Sequence, residues 1–230
     1  MKGLQRELGF TPKLIMLDLD GTLVDSAADI ALCLNQALAD LAYHNVSEQQ
    51  VREWVGRGAP RLIELALQHV SPNYQTDAHR NEAQTALLNQ FMQRYQVSVC
   101  QVSTVYPGIF EFIDAAEAAG IHLACVTNKP YAPARALLDE LGLLPRMHLL
   151  IGGDTLAHRK PHPEQLLHCL RHFDVAAADA LMVGDSYNDI EAARACGVRS
   201  LAVPYGYNHG QDIRQSQPDM LVNLLSEVLS

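Results

Sequence analysis

The second half of the chain alternates short apolar runs with segments whose apolar residues recur at helical spacing. Short apolar runs bounded by turn residues are typical of buried strands, and a 3.6-residue period is typical of helices. The predicted strands are 13–19, 121–126, 148–151, 180–183 and 200–203. Helices are predicted at 107–120, 130–142, 163–173 and 188–197. This alternation predicts a parallel sheet with helices on both faces. Residues 1–11 lack a strong period and are predicted to form a loose arm.

The stretch between the first two predicted strands differs from the rest, because it contains helical patterns and no convincing strand. A helical stripe begins after Ser26, and Ser47 with Gln50 forms a capping-box sequence at the start of the next helix, which is predicted to run to Val55. Two more helices are predicted at 60–70 and 77–95. Because this helical block interrupts an α/β pattern, it is predicted to be an insertion.

The predicted fold class is therefore α/β, with a Rossmann-like parallel sheet core and an inserted, small, all-helical cap domain. The core is predicted to comprise residues 12–23 and 104–230, and the cap residues 24–103. Ligands of open parallel sheets bind beyond the carboxyl ends of the strands, where an inserted cap would cover them and exclude water. The linkers near Val24 and at 102–106 are candidate hinges.

Two carboxylates directly follow the first predicted strand, in the sequence Asp18-Leu19-Asp20-Gly21-Thr22. Residues two apart on an extended strand point to the same side, so Asp18 and Asp20 are expected to lie side by side. Ionising both in apolar surroundings is costly unless a cation lies between them. The pattern therefore favours a metal-assisted site with a carboxylate nucleophile and a carboxylate acid/base. The alternative is a polar turn, for which Asp-Gly is ordinary.

Polar residues also follow the later strands. Thr127 and Asn128 precede a helix N-terminus and suit a phosphate group, although both are also good helix caps. Lys160 precedes another helix and would offset the negative charge of carboxylates and phosphoryl oxygens. Asp185 and Asp189 are four residues apart at a helix start and suit the acidic half of a magnesium site. Acids in a first helical turn are also favoured by the helix dipole.

These four segments resemble, in chain order, the four signature motifs of the haloacid dehalogenase superfamily of phosphohydrolases. The resemblance covers residues 14–210. It implies that Asp18 attacks phosphorus to form an aspartyl-phosphate, and that Asp20 protonates the leaving oxygen and later activates water. The implied cofactor is Mg²⁺.

The resemblance also implies roles for the remaining motif residues. The phosphoryl group would be bound by Thr127, Asn128 and Lys160, of which the lysine also acts in catalysis. The implied magnesium-binding residues are Asp18, Asp20 through its main-chain carbonyl, Asp185, and Asp189, which orients the magnesium-bound waters or Lys160.

Four further segments narrow the resemblance to the bacterial phosphoglycolate phosphatases of that superfamily. They are residues 55–59, 124–130, 151–156 and 205–210. The implied reaction is hydrolysis of 2-phosphoglycolate, whose carboxylate requires a second anion-binding group. Arg57, on a glycine-flanked loop of the predicted cap, is the candidate for that group and Arg61 is the second choice. The alternative for each is a solvated surface arginine.

Composition bears on the partners and location of the protein. A formal net charge of -9 argues against sequence-independent nucleic-acid binding. No apolar run is long enough to span a bilayer and no signal-peptide core is present, so a cytoplasmic location is expected. Five scattered cysteines suggest neither a disulfide framework nor a zinc site, and the ten histidines show no pair at metal-ligand spacing. The expected partner is a small phosphomonoester, and the expected assembly is a monomer or homodimer.

Three alternatives share parts of this pattern. The nearest is the same chemistry on another small phosphomonoester, such as a sugar phosphate or pyrophosphate. A phosphoglucomutase-like isomerase would pass the phosphoryl group from Asp18 to a sugar rather than to water. A receiver-like signalling module also uses Asp, Thr and Lys around magnesium. Its phosphorylated aspartate lies near the middle of a single short domain, whereas Asp18 ends the first strand and precedes a large helical insert.

Overall fold

The structure is a computed structural model, which describes residues 1–71, Tyr74 and residues 79–229. Its strands are β1 (Leu14–Leu17), β2 (Val24–Asp25), β3 (Thr104–Val105), β4 (His122–Val126), β5 (Leu149–Ile151), β6 (Ala180–Gly184), β7 (Arg199–Ala202) and β8 (Met220–Leu221). Its α-helices are α1 (Lys2–Leu8), α2 (Ala27–Asp40), α3 (Glu48–Trp54), α4 (Ala59–Val70), α5 (Arg80–Val97), α6 (Ile109–Ala118), α7 (Tyr131–Glu140), α8 (Glu164–Phe173) and α9 (Tyr187–Cys196).

The main sheet has six strands in the order β5-β4-β1-β6-β7-β8, and every neighbouring pair is parallel. The predicted α/β class is therefore confirmed. β1 is central, with Ile15 and Leu17 in the hydrophobic cluster on one face of the sheet and Leu14 and Met16 in the cluster on the other. A strand buried on both faces requires a continuous apolar run, which explains why this segment has no polar position before Asp18.

Helices α2 to α5 lie between β2 and β3 and have a hydrophobic cluster of their own, which includes Leu34, Ile63 and Phe91. The candidate hinge linkers are paired with each other, because β2 and β3 form an antiparallel ladder in which Val24 faces Val105. We refer to residues 26–103 as the cap. Its definition as a separate domain stays a prediction.

The second linker is also held by a buried carboxylate. Asp29, in the first turn of α2, accepts hydrogen bonds from the main-chain N–H groups of Gln101, Val102 and Ser103, at 2.8–3.2 Å. A buried carboxylate with several N–H donors is a strong anchor. Both ends of the cap are therefore fixed near the carboxyl end of β1.

The prediction of a loose N-terminal arm is wrong. Residues 2–8 form α1, whose Leu4 and Leu8 are buried in the main core cluster. Gly3 lies against the backbone of Val228, in the C-terminal 3₁₀-helix Leu225–Leu229. Seven residues are too few to show a helical period in sequence, and a helix this short depends on tertiary contacts such as the one with the C-terminal segment.

Several predicted boundaries shift by one or two residues. Pro130 and Pro163 precede α7 and α8 as N-cap residues rather than forming their first turn. The predicted start of the long cap helix at Asp77 lies outside the described residues, and the described helix begins at Arg80. All five cysteines are free. None of the helices in the described part of the chain has the length and apolar character needed to cross a membrane.

Candidate active site

Asp18 directly follows β1, and its main-chain N–H donates to the carbonyl oxygen of Val183 at 3.0 Å, which continues the ladder with β6. The chain then turns at Gly21, whose φ is 92°. A Cβ at Gly21 would lie 2.3 Å from Oδ2 of Asp185, so only glycine fits both the turn and its neighbour. Asp18, which is 7% exposed, and Asp20 line the same cavity.

Lys160 lies in the loop after β5 and is buried among three oxygen atoms. Its Nζ donates to Oδ1 of Asp18 at 2.8 Å and to Oδ1 of Asp189 at 2.6 Å. It also donates to the carbonyl oxygen of Val126 at 2.6 Å. Burial lowers the pKa of Lys160, but Asp18 and Asp189 outweigh this effect and raise it above its ordinary value. Lys160 is therefore a fixed positive charge between two acids.

The loop that carries Lys160 is fixed by Gln165, a fully buried residue of α8. The Lys160 main-chain N–H donates to Oε1 of Gln165 at 3.2 Å. The Gln165 amide in turn donates to the carbonyl oxygens of Thr127 and Gly152, at 3.1 and 3.0 Å. One side chain thus ties the ends of β4 and β5 to the lysine loop.

Three buried carboxylates lie together at the ends of β1 and β6. Oxygen atoms of Asp18, Asp185 and Asp189 are all within 4.8 Å of one another. Asp185 accepts hydrogen bonds from Oγ1 of Thr22 at 2.9 Å and from the main-chain N–H of Tyr207 at 2.5 Å. The predicted carboxylates of the metal site are thus brought together.

The contacts of Asp189 agree with both interpretations of this residue, as an acid in the first turn of a helix and as a residue that orients Lys160. Its Oδ2 accepts from the main-chain N–H and the hydroxyl of Ser186, at 3.1 and 2.8 Å, as part of a capping box at the start of α9. Its Oδ1 accepts from Lys160. Both oxygens are occupied, which suits an orienting role better than direct ligation.

When all three are ionised, these carboxylates carry more negative charge than the single ammonium of Lys160 balances. Burial raises the pKa of Asp18 from its ordinary 3.8 to about 7, an effect that Lys160 reduces and Asp189 adds to. Burial, followed by repulsion from Asp18 and Asp189, raises the pKa of Asp185 well above its ordinary value. Buried hard oxygen donors with uncompensated charge fit a divalent cation such as Mg²⁺.

We expect the metal-free protein to lose stability as the pH rises from about 5 to about 7. Asp18, whose pKa is raised by burial to about 7, keeps its proton in the folded state over much of this range, whereas the unfolded chain has already lost it. The raised pKa of Asp185 acts in the same direction. The free energy of unfolding therefore falls with pH, by at most about 1.4 kcal/mol per pH unit for each group. Urea unfolding in EDTA at several pH values measures this slope.

Saturating Mg²⁺ should reduce that slope, because a bound cation takes the place of the protons and binds only the folded state. The variant Asp185→Asn is the control, and its slope in EDTA should be smaller than that of the wild type. A metal-free stability that is independent of pH would contradict this account of the carboxylates.

Thr127 and Asn128 follow β4, as predicted for a phosphate site. Oγ1 of Thr127 accepts from the Lys129 main-chain N–H at 3.1 Å, so its hydroxyl proton remains available to a phosphoryl oxygen. The Asn128 side-chain amide donates to the carbonyl oxygens of Gly56 and Lys160, at 2.9 and 2.8 Å. These bonds join the cap to the core, and the acceptor Oδ1 has no hydrogen-bond partner among the residues that the structure describes. An acceptor does not bind an ionised phosphate, so Asn128 can contribute its main-chain N–H instead.

The cavity above Asp18 and Asp20 lies between the core and the cap and has a volume of about 40 Å³. Thr127, Asn128 and Lys129 line it on the core side. Its cap side is formed mainly by apolar or aromatic residues. They are Ile30, Val55, Gly56, Gly58, Ala59, Leu62, Phe91, Met92 and Tyr95. The cap thus covers the carboxylates of Asp18 and Asp20 with a mainly apolar wall.

Arg57 and Arg61 are not among the residues that line this cavity. Both line a groove between cap and core that also contains Lys160, His158 and His162. The carboxylate-binding role of Arg57 stays a prediction. The histidines are exposed, yet their ring nitrogens lie within 4.8 Å of each other and of a Glu164 carboxylate oxygen, a proximity that the sequence spacing did not indicate.

Two further residues near the carboxylates were missed in the sequence. Lys129 donates to both carboxylate oxygens of Asp20, at 2.8 and 3.0 Å, although only its neighbours Thr127 and Asn128 were assigned roles. Tyr207, besides binding Asp185, donates from its hydroxyl to Oδ1 of Asp25 at 2.5 Å. Tyr207 lies within 205–210, a segment that the sequence analysis had singled out. Its pairing with Asp25, which is distant in sequence, could not be predicted.

Comparison with known proteins gives a family match over most of the chain. The family model described as haloacid dehalogenase-like hydrolase matches residues 15–203. A curated phosphoglycolate phosphatase from Nitrosococcus oceani is 40% identical over 217 residues, which is 94% of this chain and 95% of that protein. One from Colwellia psychrerythraea is 41% identical, with 94% and 95% coverage. A crystal structure of a predicted phosphoglycolate phosphatase from Haemophilus somnus superposes with a TM-score of 0.89 at 35% identity, covering 94% of this chain and 96% of that one.

Proposed function

Because the chain belongs to the haloacid dehalogenase-like hydrolases, we propose that it is a magnesium-dependent phosphomonoester hydrolase that acts through an aspartyl-phosphate. The observation that carries this proposal is the position of Asp18. It is a buried carboxylate at a strand end, in contact with Lys160 and beside the carboxylates of Asp185 and Asp189. A carboxylate so placed has a positive group to offset phosphoryl charge and a group of oxygen ligands beside it.

The residues that would hold Mg²⁺ are Asp18, Asp185 and the main-chain carbonyl of Asp20, with Asp189 orienting Lys160 or the waters of the ion. The ion would supply positive charge against the phosphoryl oxygens and against the carboxylates themselves.

In the first step, an oxygen of Asp18 forms a bond to phosphorus while the bond from phosphorus to the ester oxygen breaks. Lys160 occupies Oδ1 of Asp18, so the other oxygen is the available nucleophile. Asp20 donates a proton to the departing alcohol oxygen. Ser26, whose hydroxyl lies 2.5 Å from Oδ1 of Asp20, holds that carboxyl group toward the cavity.

In the second step, Asp20 accepts a proton from a water molecule, whose oxygen bonds to phosphorus. The bond between phosphorus and Asp18 then breaks, which releases inorganic phosphate and restores the carboxylate. The apolar walls of the cap limit the entry of other water molecules.

The proposed substrate is 2-phosphoglycolate, which yields glycolate and phosphate. It is supported by the relatives named phosphoglycolate phosphatase, which are about 40% identical over nearly the whole chain. Another small phosphomonoester and transfer to a sugar are the alternatives. We further propose a cytoplasmic monomer or homodimer without nucleic-acid or membrane partners.

We expect the wild type to hydrolyse 2-phosphoglycolate with a kcat/KM at least about 100-fold above that for ethyl phosphate, because a site built for a charged group rejects the analogue that lacks it. Ethyl phosphate replaces the carboxylate by a methyl group and keeps the ester. Phosphate release with Mg²⁺ is measured for both, together with a panel of sugar phosphates and pyrophosphate.

A higher kcat/KM for a sugar phosphate would reject the proposed substrate but keep the hydrolase. Phosphate release that required a bisphosphate primer would instead favour the isomerase. The panel therefore separates the three candidate activities.

A further inference from the structure

Lys129 is a buried lysine for which the proposed mechanism has no use. It is 5% exposed, and its Nζ lies 2.8 and 3.0 Å from the two carboxylate oxygens of Asp20. Its ammonium also lies 4.6 Å from the centre of the Tyr95 ring, which belongs to the cap helix α5. A lysine buried at this depth needs compensating charge, and Asp20 with the aromatic face supplies it.

Among the described residues that line the cavity, Lys129 is the only one with a positive side chain. The cap wall opposite contains Leu62, Phe91 and other apolar residues, which cannot stabilise an anion. The arginines at 57 and 61 line the separate groove. An anionic group that enters this cavity beside the phosphate therefore has the Lys129 ammonium available to it, because Lys160 is paired with Asp18 and Asp189 and is assigned to the phosphoryl group.

Tyr95 adds a hydrogen-bond donor at the same place. Its hydroxyl is buried and has no hydrogen-bond partner among the described residues, although Tyr95 lines the cavity. Burial, followed by the charge of Asp20, holds the pKa of Tyr95 well above its ordinary value, so the hydroxyl keeps its proton and can donate. An unpaired buried donor is costly unless a ligand satisfies it.

The chemistry of the proposed substrate places an anion at this position. Asp20 must contact the ester oxygen to protonate it, and the carboxyl carbon of 2-phosphoglycolate is two bonds from that oxygen. The carboxylate therefore lies beside Asp20, where the Lys129 ammonium already is.

We propose that Lys129 determines specificity by binding the carboxylate of the substrate's leaving group, with the Tyr95 hydroxyl as a second donor. This inference rests on the proposed function. Before substrate binds, the Lys129 ammonium is paired with Asp20. When substrate binds, Asp20 carries the proton that it donates to the ester oxygen, and the ammonium lies between the carboxyl group of Asp20 and the substrate carboxylate. Substrates without an anionic leaving group leave the ammonium beside Asp20 alone.

The test compares the ratio of kcat/KM for 2-phosphoglycolate to that for ethyl phosphate in wild type and Lys129→Met. Loss of the contact with Asp20 affects both substrates and cancels in the ratio, whereas loss of the carboxylate contact affects one. The ratio should fall at least about 30-fold in Lys129→Met. Lys13→Met is the matched control, because it removes an exposed ammonium from a surface pair with Asp179 and should leave the ratio unchanged. Arg57→Met tests the alternative cation, in the neighbouring groove.

An unchanged ratio in Lys129→Met overturns the inference, as does a loss confined to Arg57→Met. A wild type without preference for 2-phosphoglycolate overturns both the proposed substrate and the role of Lys129. If the wild type prefers 2-phosphoglycolate and Lys129→Met retains that preference, only the role of Lys129 is overturned. If Lys129→Met does not fold, Tyr95→Phe decides, since it removes only the hydroxyl: a ratio reduced about 5-fold or more supports the inference, and an unchanged ratio overturns it.

Discussion

Asp18→Asn is expected to lower kcat by at least about 10⁴-fold while the protein stays folded, because an amide is not a competent nucleophile toward phosphorus. The amide oxygen can still accept from Lys160, which lies 2.8 Å from Oδ1 in the wild type. Phosphate release at saturating Mg²⁺ gives kcat, and thermal unfolding checks the fold. Acid quenching during turnover of substrate labelled in its phosphoryl group should trap a hydroxylamine-sensitive phosphoprotein in the wild type and none in the variant.

Asp189→Asn is the matched control, since Asp189 contacts the same lysine but has both oxygens occupied by Lys160 and Ser186. Its expected loss is about 10- to 100-fold, the usual range for a group that orients others. The phosphoprotein should still form in this variant. A residual activity of Asp18→Asn equal to that of Asp189→Asn would contradict covalent catalysis at position 18.

The site residues that directly follow buried strands could be predicted from the sequence, because both the strands and the polar residues after them are local patterns. A doubly buried strand must be apolar, and polar residues directly after such strands lie at one edge of a parallel sheet. Asp18, Thr127, Lys160 and Asp185 were found in this way, and the structure brings the groups together at that edge. The resemblance to the family motifs added the type of reaction, which is hydrolysis of a phosphomonoester.

Features that depend on contacts between residues distant in sequence could not be predicted from the sequence. Helix α1 is stabilised against the C-terminal 3₁₀-helix, a partner more than two hundred residues away, so its own seven residues gave no signal. The pairing of Lys129 with Asp20 joins residues 109 positions apart. Short-range periodicity contains no information on such pairs, and a lysine in a loop is usually solvated. Arg57 was selected for its flanking glycines, and its role in binding the substrate carboxylate stays a prediction.

Lys160→Met is expected to lower the free energy of unfolding by about 3–5 kcal/mol at pH 7.5 in the absence of divalent cations, because it leaves two buried carboxylates without their shared cation. The loss should be smaller at pH 5, since Asp18, whose pKa is raised to about 7 mainly by burial, then carries a proton. We also expect kcat to fall by about 10²- to 10³-fold, as for the loss of one charge-stabilising donor. Urea unfolding and phosphate release measure the two effects.

Lys13→Met is the matched control, because Lys13 forms a pair of the same length with Asp179, at 2.8 Å, on the surface, where its side chain is 69% exposed. Exposed pairs contribute at most about 1 kcal/mol, so this variant should be nearly as stable as the wild type. The double variant Lys160→Met/Asp189→Asn should regain part of the stability lost in the single variant, because it removes one uncompensated acid and keeps an acceptor for Ser186. If Lys160→Met cost no more than Lys13→Met, the buried charges of the site would not interact as the distances imply. Uncompensated negative charge on Asp18, Asp185 and Asp189 would then not be the reason for the proposed binding of Mg²⁺.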